Sequence, residues 1–293
     1  GDDMSFILAT DTSCDVLKSE LAERGIEYIP LVYTIDGTAH NDDFSTAAEY
    51  KAFYDGIRKG DLPTTSQINV AENEEFYEKL IAEHEGDILY VTLSSGLSSS
   101  NASAKLAAKN VEERTGRKIF VVDSFGATIV TRHVVDEAQR LRDAGESAES
   151  AAAKLAEFAA KLHTWFMPVD LMHLKRGGRV SGPMAYLGTA LNIKPIIRFN
   201  ETGGLTVVKK VRGAAKGIAE MAEAVKRDSA KTPHKIYIAS ADSDLAEELL
   251  ERVKAARPDC EAEIGWIGPV IGAHTGCGAV GVSFVSDSPR KLK

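Results

Sequence analysis

The sequence has little of several things that would place it in other protein classes. Its three cysteines, Cys14, Cys260 and Cys277, are an odd number at wide spacings, which argues against a disulfide framework and a cysteine-based zinc site. Only 9 prolines and 24 glycines occur in 293 residues, so the chain is neither disordered nor collagen-like. We therefore expect a folded protein of a reducing compartment, the cytoplasm.

Long apolar runs and basic charge are also scarce. No run of about 18 apolar residues is present, and no basic region precedes a long apolar stretch, so we expect no integral membrane segment and no signal peptide. Lys and Arg number 35 against 43 Asp and Glu, a net charge of −8, so nucleic acid is not an expected partner. An acidic ligand would have to be held by local hydrogen-bond donors.

Metal and nucleotide motifs are missing too. The seven histidines are scattered without an HExxH pattern, and no P-loop occurs, so we expect neither a metal nor a cofactor. GCGAVG (276–281) fits GxGxxG, but a strand-like segment follows it where the dinucleotide fingerprint requires a helix.

Length and hydrophobic patterning predict an α/β protein of two domains. In the first half, β-rich runs alternate with helix-length segments, which predicts a mostly parallel sheet in an N-terminal domain, residues 4–164. The second half has more strand-like alternation and a hairpin around 201–204, which predicts a mixed-sheet α/β domain, residues 165–293. The expected strands of the first half are 6–9, 26–35, 88–93 and 119–122, and its expected helices are 47–58, 72–83, 99–114, 127–142 and 147–162.

Two hydroxyl clusters are the most informative local feature. TTSQ (64–67) and SSGLSSS (94–100) each follow a strand or loop and look like helix entrances. Free backbone N–H groups and hydroxyls would converge there, an arrangement that binds carboxylate or phosphate. The alternative is that Thr65, Ser98 and Ser99 are ordinary helix N-caps.

Two further segments carry candidate ligand-binding residues. GPVIGAHTGCGAVG (268–281) sets His274 among glycines that let a ligand approach, although a lone histidine is often a structural hydrogen-bonding group. In LKRGGRVSG (174–182), Lys175 and Arg176 suit the end of a helix, whereas Arg179 lies beyond it and could face an anion. KKVR (209–212) is a second basic segment, either a partner contact or a solvated strand end.

A serine hydrolase remains an alternative at this stage. The GxSxG elbow and an HGGG-type oxyanion segment are absent. However, Ser95 or Ser98 precedes His274 in the chain, and Asp123 or Asp11 could orient the imidazole. A small acyl hydrolase or acyltransferase is therefore left open.

Taken together, the motifs resemble the DegV family of bacterial fatty-acid-binding proteins over nearly the whole chain. The resemblance rests on TDTSCD, PTTSQ, LSSGLSSS, VVDS, LKRGGRVSG, KPII, KVR and GPVIGAHTGCGAVG, in this order. It implies a two-domain α/β protein that buries one long-chain fatty acid. In some members it also implies a non-catalytic, acyl-carrying subunit that presents the carboxylate to a separate ATP-dependent fatty acid kinase subunit, which makes acyl phosphate.

The resemblance also implies residue roles. Thr65, Ser66 and Ser95 correspond to the direct carboxylate ligands, Arg179 and His274 to the supporting polar network, and Arg212 to the contact with the kinase subunit. Two features depart from the usual sequence of the family: Cys277, and the SFGA that follows Asp123. They bear on the length of the pocket and on which fatty acid chain it prefers.

Elementary energetics fits such a ligand. About 15 buried methylenes at about 0.8 kcal/mol each contribute about 12 kcal/mol gross, before the costs of ordering and association. The tail would supply affinity and the polar cluster would orient the carboxylate. We expect the head group to lie beneath a movable lip and the tail to lie deep.

Overall fold

The structure, a computed structural model, describes residues 6–181 and 192–291 of the chain. The strands in these ranges are β1 Ile7–Asp11, β2 Glu27–Ile29, β3 Val32–Ile35, β4 Thr38–Asn41, β5 Thr64–Ser66, β6 Ile88–Thr92, β7 Ile119–Asp123, β8 Leu162–Met167, β9 Val180–Ser181, β10 Ile193–Phe199, β11 Leu205–Arg212, β12 Ile236–Ser240, β13 Ala262–Trp266 and β14 Val280–Val285. The helices are α1 Lys18–Glu23, α2 Ala47–Lys59, α3 Val70–Glu83, α4 Ser100–Thr115, α5 Ile129–Asp143, α6 Ala148–Ala160, α7 Leu171–Gly177, α8 Ala214–Asp228, α9 Ala246–Ala256 and α10 Pro269–Thr275.

The first half is organised by a parallel sheet in the order β2-β1-β6-β7. Its central strands are apolar on both faces because helices cover both. Ile88 packs with Tyr77 and Leu80 of α3 on one face, whereas Leu89 on the other face packs with residues of α5 and α6. The predicted mostly parallel N-terminal sheet is confirmed.

A small antiparallel sheet, β4-β3-β5, adjoins this domain and contains the first hydroxyl cluster. Thr65 pairs with Tyr33 of β3, so TTSQ lies on a strand and its prediction as a helix entrance is wrong. The β-branched threonines after Pro63 favour extended backbone. Helix α3 begins later, where Asn69 accepts the N–H of Glu72 at 3.0 Å.

The second half is organised by a seven-stranded mixed sheet, in the order β13-β12-β14-β8-β10-β11-β9. Trp165 of β8 faces the core formed with α8 and α9, whereas its neighbour Phe166 packs toward the first half, as the two-residue period of a strand requires. The β10–β11 hairpin confirms the turn predicted at 201–204, with Gly203 at φ 76°. The predicted fold class, α/β with a parallel-sheet and a mixed-sheet domain, is confirmed. The predicted domain boundary, between residues 164 and 165, falls within β8, and the division into these two domains stays a prediction.

One other local prediction needs correction, and one helix was not predicted. The expected single strand 26–35 is divided at Pro30 into β2 and β3, because proline cannot donate to a ladder. The glycine-rich segment after Gly268 forms the short helix α10, with Pro269 in its first turn, where the missing N–H costs nothing.

Helix α10 connects the two halves of the molecule. Tyr54 of α2 donates its hydroxyl to the carbonyl of Ile267 at 2.5 Å, just before α10 begins. Arg58 of α2 forms an ion pair with Asp242 at 2.6 Å, beyond the end of β12. The Tyr54 contact holds the beginning of α10, the helix that carries His274, against the first half, and the Arg58 ion pair joins the same helix α2 to the second half.

Candidate functional site

A polar cleft lies where β5, the loop after β6, the end of α7 and helix α10 meet. The space between its walls is about 630 Å³, including the part open to solvent. Six of its lining residues carry polar side chains: Thr65, Ser66, Ser98, Arg179, His274 and Thr275. The structure therefore brings together Thr65, Ser66, Arg179 and His274, four of the six residues that the sequence singled out.

Thr65 and His274 are the central contact of the cleft. The Oγ1 of Thr65 and the Nε2 of His274 are 2.9 Å apart, and 209 positions of sequence separate them. Within the described residues the buried Nδ1 of His274 has no hydrogen-bond partner. A Cβ built at Gly177 would lie 2.4 Å from this Nδ1, so only glycine lets α7 approach the imidazole so closely.

His274 is a neutral group at physiological pH. Burial, assisted by the nearby Arg179 and Arg176, lowers the pKa of this imidazole to about 4. The imidazole therefore contributes a neutral hydrogen bond, whereas positive charge at the cleft comes from Arg179.

Arg179 lies just beyond α7, as the sequence predicted. Gly178 adopts the left-handed conformation, φ 66°, and ends the helix. The exposed Arg179 side chain then turns back, and its Nη1 donates to the carbonyl of Gly177 at 2.6 Å. Its guanidinium is thus held at the rim of the cleft.

The serine loop after β6 supplies a different serine from the one expected. Ser95 is exposed, and its backbone N–H donates to the carboxylate of Asp123 at 3.3 Å. Ser98 is half-buried and lines the cleft, with its hydroxyl 3.0 Å from that of Ser100. Ser98 is a candidate nucleophile or N-cap by sequence, but its place in the cleft wall is not readable, because five serines within seven residues do not reveal which hydroxyl a turn directs inward.

Asp11 fixes the beginning of this loop. Its Oδ2 accepts the N–H of Leu93 at 2.7 Å, and Leu93 lines the cleft. Burial raises the pKa of Asp11 to about 6, although its hydrogen bonds from Ser13 and Leu93 oppose the rise. Asp11 thus acts on the cleft through the loop.

An apolar cavity adjoins the cleft. The space between its walls is about 500 Å³, again including the part open to solvent, and it lies between the mixed sheet, the start of α5 and helix α10. Alternate residues of two neighbouring strands line it, Thr164 and Phe166 from β8 and Ile197 and Phe199 from β10, so one sheet face forms a wall. Leu97, Leu205, Ile271 and Thr275 line both spaces, which makes the polar cleft and the apolar cavity contiguous.

Arg212 lies away from this site. It is exposed at the end of β11, opposite Ile193, whereas Leu205 at the other end of β11 lines both spaces. At about 3.3 Å per residue, the strand separates the two by roughly 23 Å. Arg212 therefore belongs to a different surface.

The geometry gives no support to a serine–histidine device in the described part of the chain. His274 pairs with Thr65 through Nε2, and no carboxylate orients its Nδ1. Asp123 is engaged by backbone N–H groups, among them that of Phe125 at 2.8 Å.

Two kinds of feature are absent from residues 6–181 and 192–291. They contain no group of three or more His, Cys, Asp or Glu side chains suited to a metal ion. They also contain no helix that combines the length and apolar character needed to cross a bilayer.

Comparison with known proteins decides the family. A sequence model described as "Uncharacterised protein, DegV family" matches residues 5–287. The chain belongs to the DegV family. A DegV domain-containing protein of Clostridium perfringens is 33% identical over 286 residues, covering 97% of this chain and 98% of the relative.

Solved DegV structures share the fold. The Bacillus subtilis DegV, described as a fatty acid binding protein, superposes with a TM-score of 0.84 at 28% identity, covering 97% of this chain and 100% of the other. A DegV family protein of Thermus thermophilus, described by its fatty acid binding, gives 0.83 at 28% identity with the same coverage. The resemblance inferred from the motifs is confirmed at the level of family and fold.

Proposed function

We propose that this protein binds one long-chain fatty acid, with the carboxylate in the polar cleft and the tail in the apolar cavity. The observation that carries the proposal is the contiguity of the two spaces, which four shared residues line. A fatty acid has this same division, a charged head and a long apolar tail. The DegV proteins of B. subtilis and T. thermophilus, described as binding fatty acids, support the same ligand class.

The carboxylate would be held by Thr65, Ser66, Arg179 and His274 together with a serine of the 94–100 loop. The family resemblance favours Ser95 for that role, and the cleft geometry favours Ser98. Hydroxyl and guanidinium donors suit an anion, and the neutral imidazole can donate without adding charge. In a chain of net charge −8 these local donors are what an anionic head group requires.

The protein would act as a carrier in the cytoplasm, and catalysis would occur in a partner. Ser66 and Arg179 at the cleft are exposed, so a bound carboxylate would lie close to the surface. A separate ATP-dependent fatty acid kinase subunit would convert it to acyl phosphate. Arg212 would contact that subunit, and its distance from the cleft would leave fatty acid binding independent of this contact.

Native mass spectrometry tests the ligand. The freshly purified protein should carry one fatty acid per chain, and delipidated protein should take up oleate or palmitate. Thr65→Val should weaken uptake at least about tenfold because it removes a hydroxyl from the head-group cluster. Thr64→Val, on the same strand but outside the cleft, is the matched control. A protein that is empty and also ignores added fatty acid would refute the proposal.

The kinase contact is tested separately. With a bacterial fatty acid kinase subunit and ATP, Arg212→Glu should abolish acyl phosphate formation while fatty acid affinity stays unchanged. Lys254→Glu on α9 makes the same charge change on another exposed surface and should leave formation intact. Equal rates for both variants would remove Arg212 from the partner surface, whatever the ligand result.

A further inference from the structure

Two buried carboxyl groups, those of Asp15 and Asp42, lie next to Gly268, the residue that precedes α10. A Cβ built at Gly268 would lie 2.1 Å from the Oδ1 of Asp15 and 3.1 Å from the Oδ1 of Asp42. Asp15 follows β1 and Asp42 follows β4, so the pair joins two segments of the first half to the helix that carries His274. Neither residue belongs to the cleft or to the cavity.

The hydrogen bonding of the pair is incomplete. The Oδ2 of Asp42 accepts the N–H of Val270 at 3.1 Å. Both carboxyl oxygens of Asp15 are inaccessible to solvent, and in the described part of the chain their nearest donor, the backbone N–H of Gly268, lies outside normal hydrogen-bond geometry. An ionised carboxylate with so little hydrogen bonding is unfavourable in such surroundings, and a second carboxylate beside it adds repulsion.

Among the described residues, the groups that interact with the pair offer it no compensating positive charge. The titratable neighbours that interact with one or both carboxyls come from every element packed around them: Asp11, Cys14, Tyr33, Asp43, Tyr50 and Tyr54. The one cation in this network, Arg132, acts on Tyr50. Protonation is the simplest way to remove the charge of both carboxyls.

We propose that Asp15 and Asp42 are positioning residues that are both protonated at neutral pH, and that this uncharged pair holds the beginning of α10 in place. The Oδ2 of Asp42 receives the Val270 N–H in this state. When the protons are lost to solvent, two carboxylates lie side by side under Gly268. Helix α10 then separates from the first half, and Ile271, His274 and Thr275 leave their positions in the cleft and cavity walls.

The direction of titration agrees with this arrangement. Burial raises the pKa of Asp42 to about 8, and burial together with Asp42 raises that of Asp15 well above its usual value. Because these pKa values are raised in the folded state, both carboxyls are protonated at neutral pH. The contribution of the pair to stability is full below about pH 4 and is lost as pH rises through about 8.

Hydrogen exchange measured by mass spectrometry tests the proposal without a ligand. Protection factors of peptides that cover α10 should fall at least about tenfold in the wild type between about pH 6.5 and about pH 9.5. Asp42→Asn, which removes the titrating charge, should keep its protection across this range. Asp36→Asn, in the exposed turn between β3 and β4, should behave like the wild type. Equal protection at both pH values in the wild type, or the same loss in Asp42→Asn, would overturn the proposal.

A second variant covers the case in which Asp42→Asn does not fold. A second measurement connects the pair to ligand binding. Asp15→Asn is the substitute if Asp42→Asn fails to fold, because asparagine tolerates the left-handed backbone of Asp15, φ 53°. The consequence for lipid rests on the proposed function: affinity for a fluorescent fatty acid should fall with the same pH midpoint as protection. If the protein binds no fatty acid, the exchange experiment still decides the role of the pair.

Discussion

The polar cleft and the apolar cavity are built in opposite ways. The cleft takes its donors from the strand β5, a loop, the end of α7 and the helix α10, which are far apart in sequence. The cavity takes a wall from alternating residues of neighbouring strands in one sheet. The cleft therefore depends on a few tertiary contacts, whereas the cavity wall is fixed by sheet geometry.

The largest effect is expected where the two regions join. Ile271→Asp would place a carboxylate at the junction of cleft and cavity, where an ionised group opposes both the apolar tail and the anionic head. We expect fatty acid affinity to fall more than about 100-fold. Titration with a fluorescent fatty acid measures it, and circular dichroism checks folding. Leu106→Asp, at an exposed position of α4, is the control, and a similar loss there would show that the effect is not local.

A smaller effect is expected from one tertiary contact of the cleft. Gly177→Ala would put a methyl group against the imidazole of His274 and force apart α7 and α10. Overpacking of this kind costs about 1–3 kcal/mol, and affinity should fall about tenfold. Calorimetric unfolding and ligand titration measure the two effects. In Gly265→Ala the new methyl group would meet only ordinary contacts, the nearest at 3.5 Å, so a loss as large as that of Gly177→Ala would contradict the argument.

The serine loop permits a finer test within the cleft. Ser98→Ala should weaken binding by about fivefold because Ser98 lines the cleft, whereas Ser95→Ala should change it by less than about twofold. The reverse order would favour the family resemblance over the geometry described above. Both variants are measured with the same fatty acid titration.

The smallest effect concerns acid stability. The pKa of His274 is lowered in the folded state, so its neutral form contributes stability that is full above about pH 6.5 and is lost as pH falls through about 4. His274→Gln should therefore show a shallower fall in Tm over this range. Part of the fall should remain, because burial also lowers the pKa values of His133 and His163 to about 4. Exposed His40→Gln should follow the wild type.

The same difference between the two regions explains what the sequence could predict. The strands of the parallel sheet are continuous apolar runs. A run such as 88–93 can be predicted as a strand because a strand that is buried on both faces needs apolar residues at every position. The candidate residues Thr65 and His274 were found from residue type alone. Their contact was not predictable, because 209 positions separate them and only the packing of α10 brings them together.

The errors also have physical causes. TTSQ was read as a helix entrance because hydroxyl residues favour N-caps, but Asn69 and Glu72 form a better capping box a few residues later. The helix α10 was missed because glycines predict loops, whereas here Gly272 lets the helix pack against Tyr54: a Cβ at that position would lie 2.5 Å from the tyrosine hydroxyl. Cavity-lining residues such as Phe199 cannot be told from ordinary core residues in the sequence.

The position of the cavity has a consequence for the thermodynamics of unfolding. Thr128 and Ile129 come from the first half of the chain, and Ile197 and Phe199 come from the second, so an occupant of the cavity touches both. A ligand that binds only this assembled state stabilises it by RT ln(1 + [L]/Kd). Occupancy would therefore couple the two halves, and the loaded protein should melt in one sharper transition where the emptied protein melts more gradually.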